Sequence, residues 1–434
     1  MAKQSKKLLI YIYAHFLLFP FYFSFINKRI QQVVIFGSLM IYLIINIRHL
    51  FDLIRDLRNH RNWLILSGLL LCLSISATIL VPILQGTNDF SYFKKIFTAI
   101  LYGISYIAVI VMISKLNKEH IFSRSLKVFL VTTRNYVLST LVFTLVPRIK
   151  KIWLNLISLK SRDLELIQSP KYKFRVGWSG YAGFTKTLYC TIAVFIAAYF
   201  LIRFYREHKK INWGLIFNLF LVLLGNAFYG RVGLVISLFS LFILMIYFIV
   251  KFKRYDVFFK LLFIGIALLL TIKGLTYVSS QVESWYNWLM EPFISLVKKG
   301  ELSTSSTDAL QEMWFIPDPD TFFFGDALYS SPEGSGYYMS TDVGYLRPIL
   351  FYGIIFSLLN YIAIGIIIHV MSRKNKDARI TGFTFMLAIL IFEIKGEVIF
   401  EVLPLIVAAL IASASVREEF FKKVREEKLC IRLN

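Results

Sequence analysis

Cysteine is almost missing from the 434 residues: Cys72, Cys190 and Cys430 are the whole supply, and no two of them share a CxxC spacing. A disulfide framework and a thiolate metal site are excluded as organising features. Negative charge is also scarce, with 26 Asp and Glu against 49 Lys and Arg, a formal net charge of +23. That excess does not point to nucleic acid, because it is spread over short segments between apolar runs and no nucleic-acid module interrupts them. No Gly-rich nucleotide fingerprint follows a strand, so a Rossmann-type cofactor site is absent. Behind the Lys-rich start, Met1 to Lys7, no small-residue cleavage site follows the first apolar run, which reads as an uncleaved first helix.

Apolar residues fill the space these absences leave. They make up 57% of the chain, the mean hydropathy is +0.65, and runs near 20 residues long recur along its length. The expected fold is therefore an all-α polytopic membrane protein, residues 1–434 forming a single integral membrane domain. About twelve transmembrane helices are predicted, at about 8–26, 30–47, 63–84, 92–113, 128–147, 186–202, 213–230, 232–250, 259–276, 348–370, 380–394 and 398–415. The segments Lys3 to Lys7, Arg48 to Arg61, Lys115 to Lys127, Arg203 to Lys210, Lys251 to Lys260, Arg373 to Arg379 and Arg417 to Arg432 fall on one side and carry most of the basic residues. By the positive-inside rule that side is the cytoplasm, with both termini inside.

Two outer segments then stand out. The larger, 277–346, is a polar island whose length and aromatic content argue for structure and use. Within it Gln281 to Val297 carries Trp285, Trp288, Leu289 and Phe293 on one helical face, suited to lying on the bilayer. Ser305-Ser306-Thr307-Asp308 resembles a capping box that opens a short helix, and Pro317-Asp318-Pro319-Asp320 reads as a turn. The second segment, 148–185, is basic: Arg148, Lys150, Lys151, Lys160, Arg162, Lys171, Lys173 and Arg175 face only Asp163 and Glu165. Such charge on a translocated side suits an anionic ligand or acidic headgroups. Its end, Phe174 to Phe184, has three glycines with Trp178 and Tyr181, as in a turn offering aromatic faces to a sugar or an interfacial aromatic belt.

Three short stretches carry candidate chemistry. Gly230-Arg231-Val232-Gly233 places an arginine at the start of a helix, where the dipole is unfavourable to it and helps bind phosphate; the alternative is an arginine that snorkels to headgroups. Thr341-Asp342-Val343-Gly344-Tyr345-Leu346-Arg347 sets an aspartate and an arginine at the membrane surface. Glu393-Ile394-Lys395-Gly396-Glu397 puts three charges between two spans, either as a site or as groups that neutralise one another.

With the twelve spans, the large outer loop and Tyr352-Gly353, these stretches resemble the Wzy-type repeat-unit polymerases of bacterial O antigen and capsule. The resemblance implies a GT-C-like glycosyltransferase of the bacterial inner membrane acting at its periplasmic face. Its donor would be a glycan on undecaprenyl diphosphate and its acceptor a hydroxyl of the next lipid-linked repeat. Arg231 would stabilise the leaving diphosphate and Asp342 would accept the hydroxyl proton. Arg175, Tyr345, Arg347, Glu393, Lys395 and Glu397 would bind substrate. No cofactor and no metal is implied, and the outer loops offer no His/Cys cluster to hold a metal. Membrane lipids and a separate chain-length regulator are the implied partners. An O-antigen ligase is the nearest alternative, but it typically relies on an outer-loop histidine, and His15, His49, His60, His120, His208 and His369 all lie elsewhere. A lipid-linked sugar flippase or transporter would be expected to show internal repeats and no large outer loop.

Overall fold

Helices occupy most of the predicted apolar positions in the computed structural model. The structure describes all residues except 1, 117–119, 170–171, 173, 254, 256–258, 260–261, 264, 267–269, 271–272, 275, 278–279, 302–303, 333–335, 375 and 415–434. Among the described residues seven helical stretches are long and apolar enough to cross a membrane: Lys28–Ile45, Ile47–Leu84, Ser91–Leu116, Ile121–Leu145, Phe184–His208, Arg231–Phe252 and Leu346–Ser372. Trp213–Tyr229 and Ile399–Ala414 are shorter apolar helices, and Ala2–Leu18 and Lys376–Phe392 complete the matches to prediction. The chain is an all-α polytopic membrane protein. The ninth predicted span, 259–276, and the basic tail 417–432 fall largely or wholly outside the described residues.

Several boundaries differ from expectation by a few residues, the ends of Ile121–Leu145 and Phe184–His208 among them, and two of the early stops share one cause. The first helix stops at Leu18 rather than near residue 26, and the fifth ends at Leu145 rather than 147. Pro20 and Pro147 stand just beyond, and the ring of a proline pushes the residue before it out of the helical region. Pro147 instead starts a new short helix, Pro147–Leu156, where its missing N–H costs nothing.

The chain divides into two compact units. One comprises Met1–Leu17, Gln32–Val128 and Ala309–Asn434. In it the Leu346–Ser372 helix packs on Arg61–Leu84, and Ile399–Ala414 packs on Ser91–Leu116. Small hydroxyls join the first pair: Ser67 donates to the Ala363 carbonyl at 3.0 Å and Ser74 to that of Phe356 at 3.4 Å, the polar adhesive common between helices in lipid. The other unit comprises Leu18–Gln31 and Phe129–Asp308, built on the mutual packing of Phe184–His208, Trp213–Tyr229 and Arg231–Phe252. At their seam Asn226 accepts from Thr191 and donates to Ser237, so its buried amide is satisfied at both ends.

The polar island is folded, as its aromatics suggest. Its first helix is Ser280–Lys299, but the apolar face lies on protein rather than on the bilayer: Trp285 stacks on Phe228 with centroids 4.9 Å apart and donates its indole N–H to the Ala227 carbonyl. The next helix, Ser305–Glu312, does open with a capping box, one residue earlier than predicted. Thr304 Oγ1 accepts from the Thr307 N–H and Thr307 Oγ1 from the Thr304 N–H. Pro317 to Asp320 is not a turn; Pro319 begins the short helix Pro319–Phe324.

The Leu346–Ser372 helix is broken at Gly353, where φ is +83° and ψ 171°. The carbonyls that the break frees are taken up by the chain after Pro319–Phe324: the Asp326 N–H donates to Leu350 O at 2.7 Å and the Ala327 N–H to Phe351 O at 3.0 Å. A Cβ at 353 would run into the Phe323 carbonyl, so both backbone angle and space demand glycine. Gly353→Ala is expected to destabilise the protein by more than about 1 kcal/mol, lowering its thermal midpoint in detergent. An unchanged midpoint would show that the break is not required.

Candidate functional site

Each unit holds an arginine, Arg347 buried and Arg231 largely so, in the first turn of a helix, beside a carboxylate and over an aromatic ring. In the first unit the framework begins with Asp89, in the loop before Ser91–Leu116. Its Oδ1 accepts from the Ser91 N–H, while Oδ2 accepts from the N–H groups of Tyr329 and Ser330 at 2.8 and 3.3 Å. Gln85 and Thr87 donate to the carbonyls of Gly325 and Ala327. These bonds seat Tyr329 over the start of the Ser91–Leu116 helix, against Tyr92 with ring centroids 4.9 Å apart.

Glu397 is the centre of this cluster. Its Oε2 accepts from Lys95 Nζ at 2.9 Å and from the Tyr329 hydroxyl at 3.0 Å, with Arg347 Nη1 3.5 Å away. The carboxylate is fully buried and Arg347 is 6% exposed, whereas Lys95 keeps 23% of its side chain accessible. The Arg347 guanidinium lies 4.0 Å from the ring centre of Tyr329 and 3.5 Å from that of Tyr337, so two ring faces fix its plane. Burial resists ionisation of Glu397, but Lys95 and Arg347 outweigh it and hold the carboxyl below its usual range. Arg347 Nη2 and Glu397 Oε1 are buried and have no hydrogen-bond partner among the described residues.

Glu393, four residues earlier, plays a different part. Its Oε1 accepts from the N–H groups of Val398 and Ile399 at 2.7 Å each, capping the Ile399–Ala414 helix, and Oε2 accepts from the Tyr361 hydroxyl at 3.2 Å. Gly344 leaves room for it, since a Cβ there would collide with Glu393 Oε2. Burial, and next the charge of Glu397, push the Glu393 carboxyl up to about 8 against the pull of the two amides.

In the second unit Arg231 opens the Arg231–Phe252 helix, as predicted. Its Nη1 donates to Glu291 Oε2 at 2.6 Å, its guanidinium lies 4.7 Å from the Trp288 ring centre, and Nη2 is buried without a partner among the described residues. Only 12% of its side chain is exposed. Glu291 is fixed from the other side by the Ser305 N–H at 2.8 Å. Burial opposes its charge, but the bonds from Ser305 and Arg231 prevail and lower its pKa. Arg175 lies 4.4 Å from the same Trp288 ring and 4.8 Å from Tyr172. Two arginines distant in sequence thus meet on one indole.

Of the other basic residues in 148–185, Arg148, Lys151 and Arg162 are exposed on short helices, Lys160 is exposed just before the second of them, Lys150 is half-buried, and Lys171 and Lys173 fall outside the described residues. The turn at Trp178 does not offer its rings to a ligand. It is the tip of a two-stranded hairpin, Val176–Gly177 with Gly180–Tyr181, and Trp178 packs edge-on against Phe19 and Tyr136 while its indole donates to Phe19 O.

The structure therefore brings Arg347 and Glu397 together, with Glu393 beside them, and brings Arg231 to Arg175. Tyr345 is an anchor, its hydroxyl donating to Leu390 O at 2.7 Å and its ring beside Tyr361. Asp342 is exposed, with no side-chain partner among the described residues, and belongs to a different unit from Arg231. Lys395 is half-buried on the turn between the glutamates. Sequence reasoning missed Lys95, Tyr92, Asp89 and Glu291. Lys95 was legible as half of a Lys94-Lys95 pair one turn inside an apolar run; Glu291 looked like one more polar position on an amphipathic helix. No group of three His, Cys, Asp or Glu that could hold a metal occurs among the described residues.

No family model, curated protein or solved structure matches this chain.

The raised carboxyl of Glu393 has a consequence for stability. A folded-state pKa near 8 means that the folded chain keeps a proton which the unfolded chain releases above the usual carboxyl range. Its contribution is complete below about pH 4 and is lost as pH rises toward 8. The thermal midpoint of Glu393→Gln, measured across this range, should fall less with rising pH than that of the unsubstituted protein. Parallel curves would show that Glu393 is ionised throughout.

Proposed function

We propose that this chain is a glycosyltransferase that polymerises lipid-linked oligosaccharide repeat units. The reading includes the twelve-span, GT-C-like architecture, a bacterial inner membrane with both termini in the cytoplasm, and a chain-length regulator as partner. One observation supports it most: two first-turn arginines, Arg231 and Arg347, each bound through Nη1 to a carboxylate and laid over aromatic rings, each with a buried Nη2 left over. A guanidinium fixed in plane, with one donor uncommitted, suits an oxyanion whose charge grows during a reaction. A diphosphate leaving an anomeric carbon is such a group.

In the proposed step the bond between the anomeric carbon and the diphosphate oxygen breaks, and its electron pair leaves with the diphosphate. The acceptor hydroxyl oxygen forms the new glycosidic bond and loses its proton to a carboxylate. Arg231 stabilises the departing charge, with Arg175 beside it. The carboxylate that takes the proton is, on the family resemblance alone, Asp342, which is exposed and uncommitted whereas Glu397 is held by Lys95 and Arg347. Arg347 and Lys395 bind substrate, and Tyr345, Glu393 and Glu397, whose own polar atoms are engaged within the protein, hold that part of the site in place.

Deleting the protein from its host should leave lipid-linked glycan capped with a single repeat, and persistence of long-chain ladders would refute the reading. With purified enzyme and lipid-linked repeats, Arg231→Ala should slow turnover about 10²- to 10³-fold, the cost of a lost oxyanion donor. Arg231→Lys should fall between, lacking the planar fork. Glu291→Gln keeps the guanidinium and should lose far less. Near-normal turnover in Arg231→Ala at matched protein amounts would remove this residue from the mechanism.

A further inference from the structure

A cavity of about 340 Å³ lies among residues of the first unit, on Ala2–Leu18, Ser91–Leu116 and the first two turns of Ile121–Leu145. It is lined by apolar Ile10, Ile113, Leu116 and Val128, by Tyr11 and by the cations Lys7, Arg124 and Lys127. None of these cations has an ion-pair or side-chain hydrogen-bond partner among the described residues. The cavity is remote from the Glu397 cluster: Lys95 and Leu116 lie on one continuous helix 21 residues apart, or about 30 Å at the helical rise, close to the thickness of a bilayer's hydrocarbon core. The two sites therefore face opposite ends of a span.

We propose that this cavity binds one acidic phospholipid, its phosphate held by Lys7, Arg124 and Lys127 and the upper part of an acyl chain resting on Ile10, Ile113, Leu116 and Val128. Three cations lining one cavity complement a phosphodiester, and a bare anion would leave the apolar lining without a partner. A zwitterionic lipid brings a positive group to a cavity that already holds three. The inference does not depend on the reaction proposed above.

The test uses the purified full chain and counts lipid retained in native mass spectrometry after exposure to micelles containing phosphatidylglycerol. Retention is expected to exceed that of phosphatidylcholine and to survive competition by inorganic phosphate. Lys7→Gln, Arg124→Gln and Lys127→Gln should each weaken it about fivefold. Ile113→Trp fills the cavity without touching the charges and should abolish it. Arg55→Gln and Arg58→Gln, exposed charges outside the cavity, should leave it unchanged. Equal retention of phosphatidylcholine, displacement by inorganic phosphate, or undiminished binding in Ile113→Trp and the three charge variants would each overturn the proposal.

Discussion

A cation buried at the end of an apolar helix must be paired, and in the first unit one carboxylate, Glu397, meets that need for both Lys95 and Arg347. Much of the surrounding structure follows from holding that carboxylate in place. Asp89 pins Tyr329, whose hydroxyl supplies a further donor to Glu397; the break at Gly353 lets the 325–327 backbone reach the freed carbonyls and so delivers the loop that carries Tyr329. Glu393 caps the helix that follows Glu397, so the turn between them is fixed at both ends. Removing either partner of such a pair leaves an uncompensated buried charge, at a cost of about 3 to 5 kcal/mol. The cluster is therefore a structural keystone whatever it binds.

The second unit solves the same problem with different parts. Arg231 stands at a helix start, where the exposed N–H groups repel it, and Glu291 from the Ser280–Lys299 helix neutralises it. That helix is anchored by Trp285 in turn, and Thr304 with Thr307 brings the Ser305 N–H onto Glu291. Each counterion is thus fixed by a backbone or side-chain donor other than the arginine, which keeps the carboxylate oriented when the guanidinium takes a further partner.

Local features were legible in the sequence because their causes are local. Apolar runs located the helices, Gly230-Arg231 marked a helix start, and the spacing of Trp285, Trp288 and Leu289 marked an amphipathic helix. The first helix was drawn too long because hydropathy alone ignores Pro20. What could not be read was pairing across the chain. Glu397 takes Lys95 from 302 residues away and Arg231 takes Glu291 from 60, and no periodicity reports such partners. The same limit misjudged the face of the Ser280–Lys299 helix, since a stripe suited to lipid is equally suited to Phe228 and Ala227.

Lys95 and Arg347 share the single ionised carboxylate of Glu397, while Glu393, with its carboxyl at about 8, is mostly protonated at neutral pH. Arg231 and Arg175 meet at Trp288 with Glu291 as the carboxylate in contact. Asp89 adds a further carboxylate to the first cluster, held by the Tyr329 and Ser330 N–H groups rather than against either cation. What the two clusters share is orientation: aromatic rings fix the Arg231 and Arg347 guanidiniums, so an anion meeting them would bind without the reorganisation that a flexible lysine surface requires.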